Sequence, residues 1–221
     1  MKQLEKELDS IKTELINMWE LVSAQVSGSR ECLINFDKDL AREIQIKEKR
    51  VNSAELNIDQ DCENVFALYS PVAVDLRFLL SILKINSNLE RVGDIADGIA
   101  KYVIAAEVCF KSELLTATRI MEMFDIGLNM LKITLLAFER EDTVMARSIF
   151  AMDEVLDEIN STANTAIIEY LKKNPEDIGQ ALYALSIIRK LERVGDQVKN
   201  IAEEIIFYLE AKVIKHRKPT E

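Results

Sequence analysis

The sequence predicts an all-α protein built as a tandem repeat of two antiparallel three-helix bundles, and three observations carry that expectation. The string Glu-Arg-Val-Gly-Asp occurs twice, at residues 90–94 and 192–196, so the copies lie 102 positions apart in a chain of 221 residues. A period close to half the chain means that a whole domain is repeated rather than a short solenoid module. Six Gly and three Pro are too few punctuating residues for a many-stranded sheet and suit a few long helices. Apolar residues also recur at three-and-four spacing over long stretches, the period of a helix with one buried face.

The first such stretch runs through Leu4, Leu8, Ile11, Leu15, Met18, Val22 and Val26. Asp37 then offers an N-cap, and Ile44, Val51, Ile58, Cys62 and Val65 mark a middle helix that must stop near Pro71, where a proline prevents continuation. A third helix follows on Ile82, Ile85, Leu89, Val92, Ala96, Ile99 and Val103. The second half repeats the series. Its first helix carries Ile120, Met123, Leu128, Leu131 and Leu135, and its middle helix is capped by Asp142, carries Ile149, Leu156, Ile159 and Ala163, and stops near Pro175. Its third carries Leu185, Ile188, Leu191, Val194, Val198, Ile201 and Ile205. The segment from Asp37 matches that from Asp142 at an offset of 105, while the acidic strings match at 102, so the first half has three extra residues in the connection near its proline. The expected domains are residues 1–110 and 111–214, each three helices, followed by a basic tail at 215–221.

Composition bounds the function. At 48% hydrophobic residues the chain can bury one large core or two of domain size, and the repeat favours two. A net charge of −10 repels nucleic acid and anionic membranes and leaves cations as the natural small partners. No run of about 18 apolar residues could span a bilayer, and the start lacks the apolar segment of a signal peptide, which predicts a cytoplasmic protein with no membrane insertion. Cys32, Cys62 and Cys109 form no paired motif and are expected to be buried, reduced thiols. The single histidine, His216, lies in the basic tail, which all but removes histidine base catalysis and histidine metal ligation.

Each repeated string sets a Glu and an Asp one helical turn apart, Glu90 with Asp94 and Glu192 with Asp196, both angled away from the apolar seam. The middle helices present a second acidic row, Glu48, Asn52, Glu55 and Asp59 in the first half and Asp153 and Asp157 in the second. An ordinary solvated face with Arg91 and Arg193 as partners is one account of them. The other is a cation site, because carboxylates that converge from neighbouring helices repel one another and an ion removes that cost. All-oxygen ligands suit iron, manganese, magnesium or calcium better than structural zinc. An oxygen-activating di-metal bundle is disfavoured, since those sites need inward-facing Glu-x-x-His pairs.

Further residues carry a resemblance. Residues 71–77 (Pro-Val-Ala-Val-Asp-Leu-Arg), both Leu-Glu-Arg-Val-Gly-Asp strings, Asn200-Ile201-Ala202 and Phe207-Tyr208 resemble the PhoU family of bacterial phosphate-homeostasis regulators from about residue 4 to about residue 213. The resemblance implies two three-helix bundles with metal clusters at their surface, held by Glu48, Asn52, Glu90 and Asp94 in one half and Asp153, Asp157, Glu192 and Asp196 in the other. Asn52 stands where the second half has Asp157, which predicts the weaker site in the first half. Gly179 stands where the first half has Arg77, and residues 174–177 lack the pattern that follows Pro71.

The resemblance further implies a cytosolic negative regulator of phosphate uptake and the phosphate-starvation response, linking the ATPase of a phosphate ABC transporter to a sensor histidine kinase. No catalytic residue or organic cofactor is expected, because the sequence has no phosphate-cradling Gly-rich loop, nucleophile-base pair or cofactor fingerprint. Two rivals remain open: an accessory subunit of a secondary phosphate carrier, and a metal-dependent hydrolytic bundle in which surface clusters activate water. A homodimer is also left open.

Overall fold

A computed structural model describes residues 2–212, with no description of the Lys2 side chain. The basic tail at 215–221, and His216 with it, lies outside the described residues. The first half is α1 (Lys2–Asn35), α2 (Lys38–Tyr69) and α3 (Ala73–Ala105). The second is α4 (Ser112–Ala117), α5 (Ile120–Arg140), α6 (Thr143–Lys173) and α7 (Ile178–Glu210), with a 3-10 turn at Pro175–Asp177. No strand occurs among the described residues.

The middle helices begin where the sequence places them. Asp37 accepts from the amides of Asp39 and Leu40, and Asp142 accepts from those of Val144 and Met145, which satisfies amides that have no partner within the helix. The tight turns before them are matched as well. Phe36 and Glu141 both adopt the left-handed region, at φ 50° and 55°, and the amides of Asp37 and Asp142 bond back to the carbonyls of Cys32 and Ala137. These short turns fold α1 onto α2 and α5 onto α6 as antiparallel neighbours.

The three extra residues of the first half resolve to Ser70, Pro71 and Val72. At an offset of 105 Tyr69 answers to Asn174, and at an offset of 102 Ala73 answers to Pro175, so the 3-10 turn replaces the first turn of α3. The first helix of the second half departs from a single rod. It breaks at Thr118 and Arg119, the latter left-handed at φ 56°, into the short α4 and the longer α5.

Two expectations need correction. The halves do not carry separate cores: residues from α1 through α7 form one contiguous hydrophobic cluster. The reason is that α3 and α7 bury more than the single seam read from the sequence, adding Ile95 and Ala100 on one and Ala184, Ile187, Ala202 and Ile206 on the other, and these two helices pack on each other along with α1 on α5. An aromatic cluster of Trp19, Phe78, Phe138 and Tyr208 seals one part of that junction, and the Trp19 indole donates across it to the Leu131 carbonyl at 3.2 Å. Nor are all three thiols buried. Cys32 and Cys62 are, but Cys109 is exposed in the loop between α3 and α4, outside any apolar seam.

Candidate metal centre

Helix α2 contributes Glu48, and α3 contributes Glu90 and Asp94 one turn apart. The structure brings these three together: one oxygen from each carboxylate lies within 4.8 Å of the others. Close approach of the helices explains Gly93. A Cβ there would stand 2.9 Å from Gln25 Oε1, 3.1 Å from Glu48 Oε2 and 3.3 Å from Val51 Cγ1, so any side chain would displace the groups that build the site.

Glu48 is the buried member, only 7% exposed. Gln25 on α1 donates Nε2–H to its Oε2 at 2.8 Å, and its Oε1 is buried without a hydrogen-bond partner. Burial first, and then the charges of Asp94, Asp97 and Glu90, push the Glu48 carboxyl up to about 7, against the opposing pull of the Gln25 amide. Glu90 is raised as well, by burial and then by Asp94 and Glu55, with Arg91 opposing. No ammonium or guanidinium is bonded to any of the three carboxylates among the described residues. An orphaned buried carboxylate oxygen and an all-oxygen donor set fit a hard cation.

Other members of the expected row have different roles. Asn52, one turn on from Glu48, is exposed. Asp59 accepts from the buried Asn86 amide at 2.9 Å, a bond that ties α2 to α3, and the same amide donates to the Glu55 carbonyl.

The second half differs. Asp153 on α6, 1% exposed, takes the place of Glu48, and Lys199 on α7 places its ammonium 2.6 Å from Asp153 Oδ2. Burial raises the Asp153 carboxyl, Lys199 opposes that, and Asp157 and Asp196 add to it. Glu192 is raised by burial and then by Asp196, Asp157 and Asp153, so the four expected acids are electrostatic neighbours. They do not form a second group of three converging carboxylates among the described residues. Asp157, which stands where the first half has Asn52, is exposed, and the buried acid one turn before it, Asp153, is paired with the Lys199 ammonium.

Sequence reasoning missed Gln25 and Lys199, and the one signal for them is the alignment of the chain with itself, which gives their equivalent positions but not their contacts. Carrying the offset of 102 three residues past the second string pairs Asp97 with Lys199, and the offset of 105 pairs Gln25 with Met130.

Fold and site define a helical tandem-bundle protein with an all-oxygen carboxylate pocket at the surface of one repeat. The profile of the PhoU domain matches residues 15–103 and 120–205. A phosphate-specific transport system accessory protein PhoU homolog of Pseudomonas putida is 33% identical over 97% of this chain and 84% of its own length. The accessory protein PhoU of Escherichia coli K12 is 32% identical over 97% of this chain and 88% of its own. The crystal structure of PhoU from Pseudomonas aeruginosa superposes with a TM-score of 0.87 at 31% identity, over 94% of this chain and 99% of that one. The phosphate transport system regulatory protein PhoU of Streptococcus pneumoniae gives 0.86 at 30% identity, over 96% and 99%. The chain belongs to the PhoU family.

Proposed function

We propose that this protein is a cytosolic, non-catalytic regulator of phosphate homeostasis that restrains phosphate uptake and the phosphate-starvation response, linking a phosphate transporter ATPase to a sensor histidine kinase. The observation that carries this is similarity along nearly the whole chain to accessory proteins of phosphate-specific transport systems, 97% of its length in two such relatives. The fold supports an adaptor: long rigid helices with one shared core present extended faces at fixed spacing, as partner docking requires. Among the described residues no helix is long and apolar enough to cross a membrane, so any contact with a transporter is with its exposed parts.

Glu48, Glu90 and Asp94 hold a hard divalent or ferric ion in this proposal. When bound, that ion supplies positive charge that offsets the repulsion among the three carboxylates. The protein's own contribution is placement: Gln25 orients Glu48, and Gly93 admits it against α3.

Deletion of the gene in its host tests the regulatory reading. Under replete phosphate the deletion strain is expected to express starvation-response genes and take up excess phosphate, and the purified protein is expected to retain the transporter ATPase and the kinase. Normal repression in the deletion strain contradicts the proposal, and retention of a lone phosphate permease in place of the ATPase points to the secondary-carrier alternative.

A further inference from the structure

We propose that Lys199 is a built-in cation that closes the second carboxylate pocket to metal, so that two repeats with the same helical plan have diverged into one metal-binding and one metal-free half. The metal-binding arm rests on the function proposed above for Glu48, Glu90 and Asp94; the closed arm rests on Lys199 alone.

The two pockets are built on the same plan. Each middle helix lays a buried carboxylate over the glycine of the repeated string: a Cβ on Gly93 would lie 3.1 Å from Glu48 Oε2, and one on Gly195 would lie 2.9 Å from Asp153 Oδ1. What faces that carboxylate has changed. Glu48 receives a neutral amide from Gln25, and its second oxygen has no partner. Asp153 receives the Lys199 ammonium at 2.6 Å, and Met130, at the position equivalent to Gln25, is buried and has no N–H or O–H to give.

The exchange reaches one turn further. Asp97, the counterpart of Lys199, is buried and paired with Lys101, whose side chain is 61% exposed. Glu203 stands at the position equivalent to Lys101, so the acid–base order of the first repeat becomes base–acid in the second. An ammonium bonded to the buried carboxylate is thus present in the second pocket and absent from the first, where Lys101 pairs with Asp97 and acts on Glu48 and Asp94 only from a distance.

A buried ionised carboxylate is costly without a counter-charge. At Asp153 the chain supplies it permanently, and an incoming ion must expel the ammonium or sit beside it against like-charge repulsion. Loss of one charge-assisted hydrogen bond alone weakens metal affinity on the order of 10- to 100-fold. The Asp153 oxygen that Lys199 does not reach, Oδ1, is buried without a partner, and it is a ready ligand once the ammonium is removed.

The test is Mn2+ binding to the full, metal-stripped chain, read by equilibrium dialysis with elemental analysis and by the electron paramagnetic resonance of bound manganese. Wild type is expected to show one tight class of site that Glu48→Gln removes. Lys199→Gln keeps a hydrogen-bond donor toward Asp153 but removes the charge, and is expected to add a second tight class that survives Glu48→Gln and disappears with Asp153→Asn. No added class in Lys199→Gln overturns the proposal, as does tight binding in Glu48→Gln that Asp153→Asn abolishes. If Lys199→Gln does not fold, that second comparison decides alone, since both of its chains retain Lys199. Binding that appears only when Lys199 is replaced sustains the closed second pocket and refutes the metal site proposed at Glu48. Binding lost in Glu48→Gln and not increased by Lys199→Gln does the reverse.

Discussion

Gln25 donates to Glu48 at 2.8 Å, setting a neutral amide against a buried carboxylate that faces Glu90 and Asp94 from the other side. The amide orients the carboxylate but does not balance its charge, and the Glu48 carboxyl is pushed up to about 7. A group whose folded pKa lies above its unfolded value stabilises the fold below the unfolded value, and that contribution is lost as pH rises through the folded one. In metal-free protein the Glu48 contribution is therefore present below about pH 4.5 and gone above about 7. Its full size is at most on the order of 3 kcal/mol, reduced by solvent screening of the partly open site. Urea midpoints of chelated wild type and Glu48→Gln, compared across this range, should diverge as pH rises, with the variant the more stable at pH 8. Asp153, Glu55 and Glu192 are also raised and are common to both chains, so they cancel in the comparison, whereas Glu90 is coupled to Glu48 and its relief in the variant adds to the divergence. Parallel curves contradict the assignment.

Added metal should stabilise the fold by mass action. At a free ion concentration of 100 times Kd the gain is about 2.7 kcal/mol, visible as a higher melting temperature with Mn2+ than with chelator. Glu90→Gln combined with Asp94→Asn removes two of the three converging carboxylates and should remove most of that response while slightly stabilising the metal-free protein. An undiminished response in the double variant places the ion elsewhere.

The two glycines of the repeated strings separate close packing from helix propensity. Alanine in a helix interior gains up to about 1 kcal/mol over glycine, whereas overpacking costs about 1–3 kcal/mol. At Gly195 the added carbon meets Leu156 Cδ1 at 2.6 Å and Asp153 Oδ1 at 2.9 Å, so Gly195→Ala should lower the urea midpoint. At Gly93 it meets the polar ends of Gln25 and Glu48, which can move if their hydrogen bond breaks. Gly93→Ala is accordingly expected to abolish the metal-induced melting shift with a smaller loss of stability. Higher midpoints in both variants mean that neither approach is close.

The helices were legible because long apolar seams run through them, and the two middle helices begin at caps that a single residue type supplies; Asp37 and Asp142 act as read from the sequence. The shared core was not. Ile95 and Ile187 lie off the heptad-like seams, and only the packing of α3 on α7 shows what they bury against. Glu90 and Asp94 were legible as a pair because one helix fixes their spacing, and Glu48 as a member of the acidic row on the neighbouring helix. Periodicity does not reveal that Glu48 is buried while Asn52, one turn on, is exposed, or that Lys199 reaches across to Asp153. Those facts depend on the rotation of α2 against α3 and of α6 against α7. The break of the second half's first helix at Arg119 has no glycine or proline to signal it.

The central claim is that one repeat holds a cation between α2 and α3. Anomalous difference density, measured at the manganese absorption edge on crystals grown with Mn2+, tests it most directly. The account predicts a peak bounded by the carboxylates of Glu48, Glu90 and Asp94, with none beside Asp153 while Lys199 is present. A map without a peak at the first position, from crystals in which those three side chains are ordered, contradicts it.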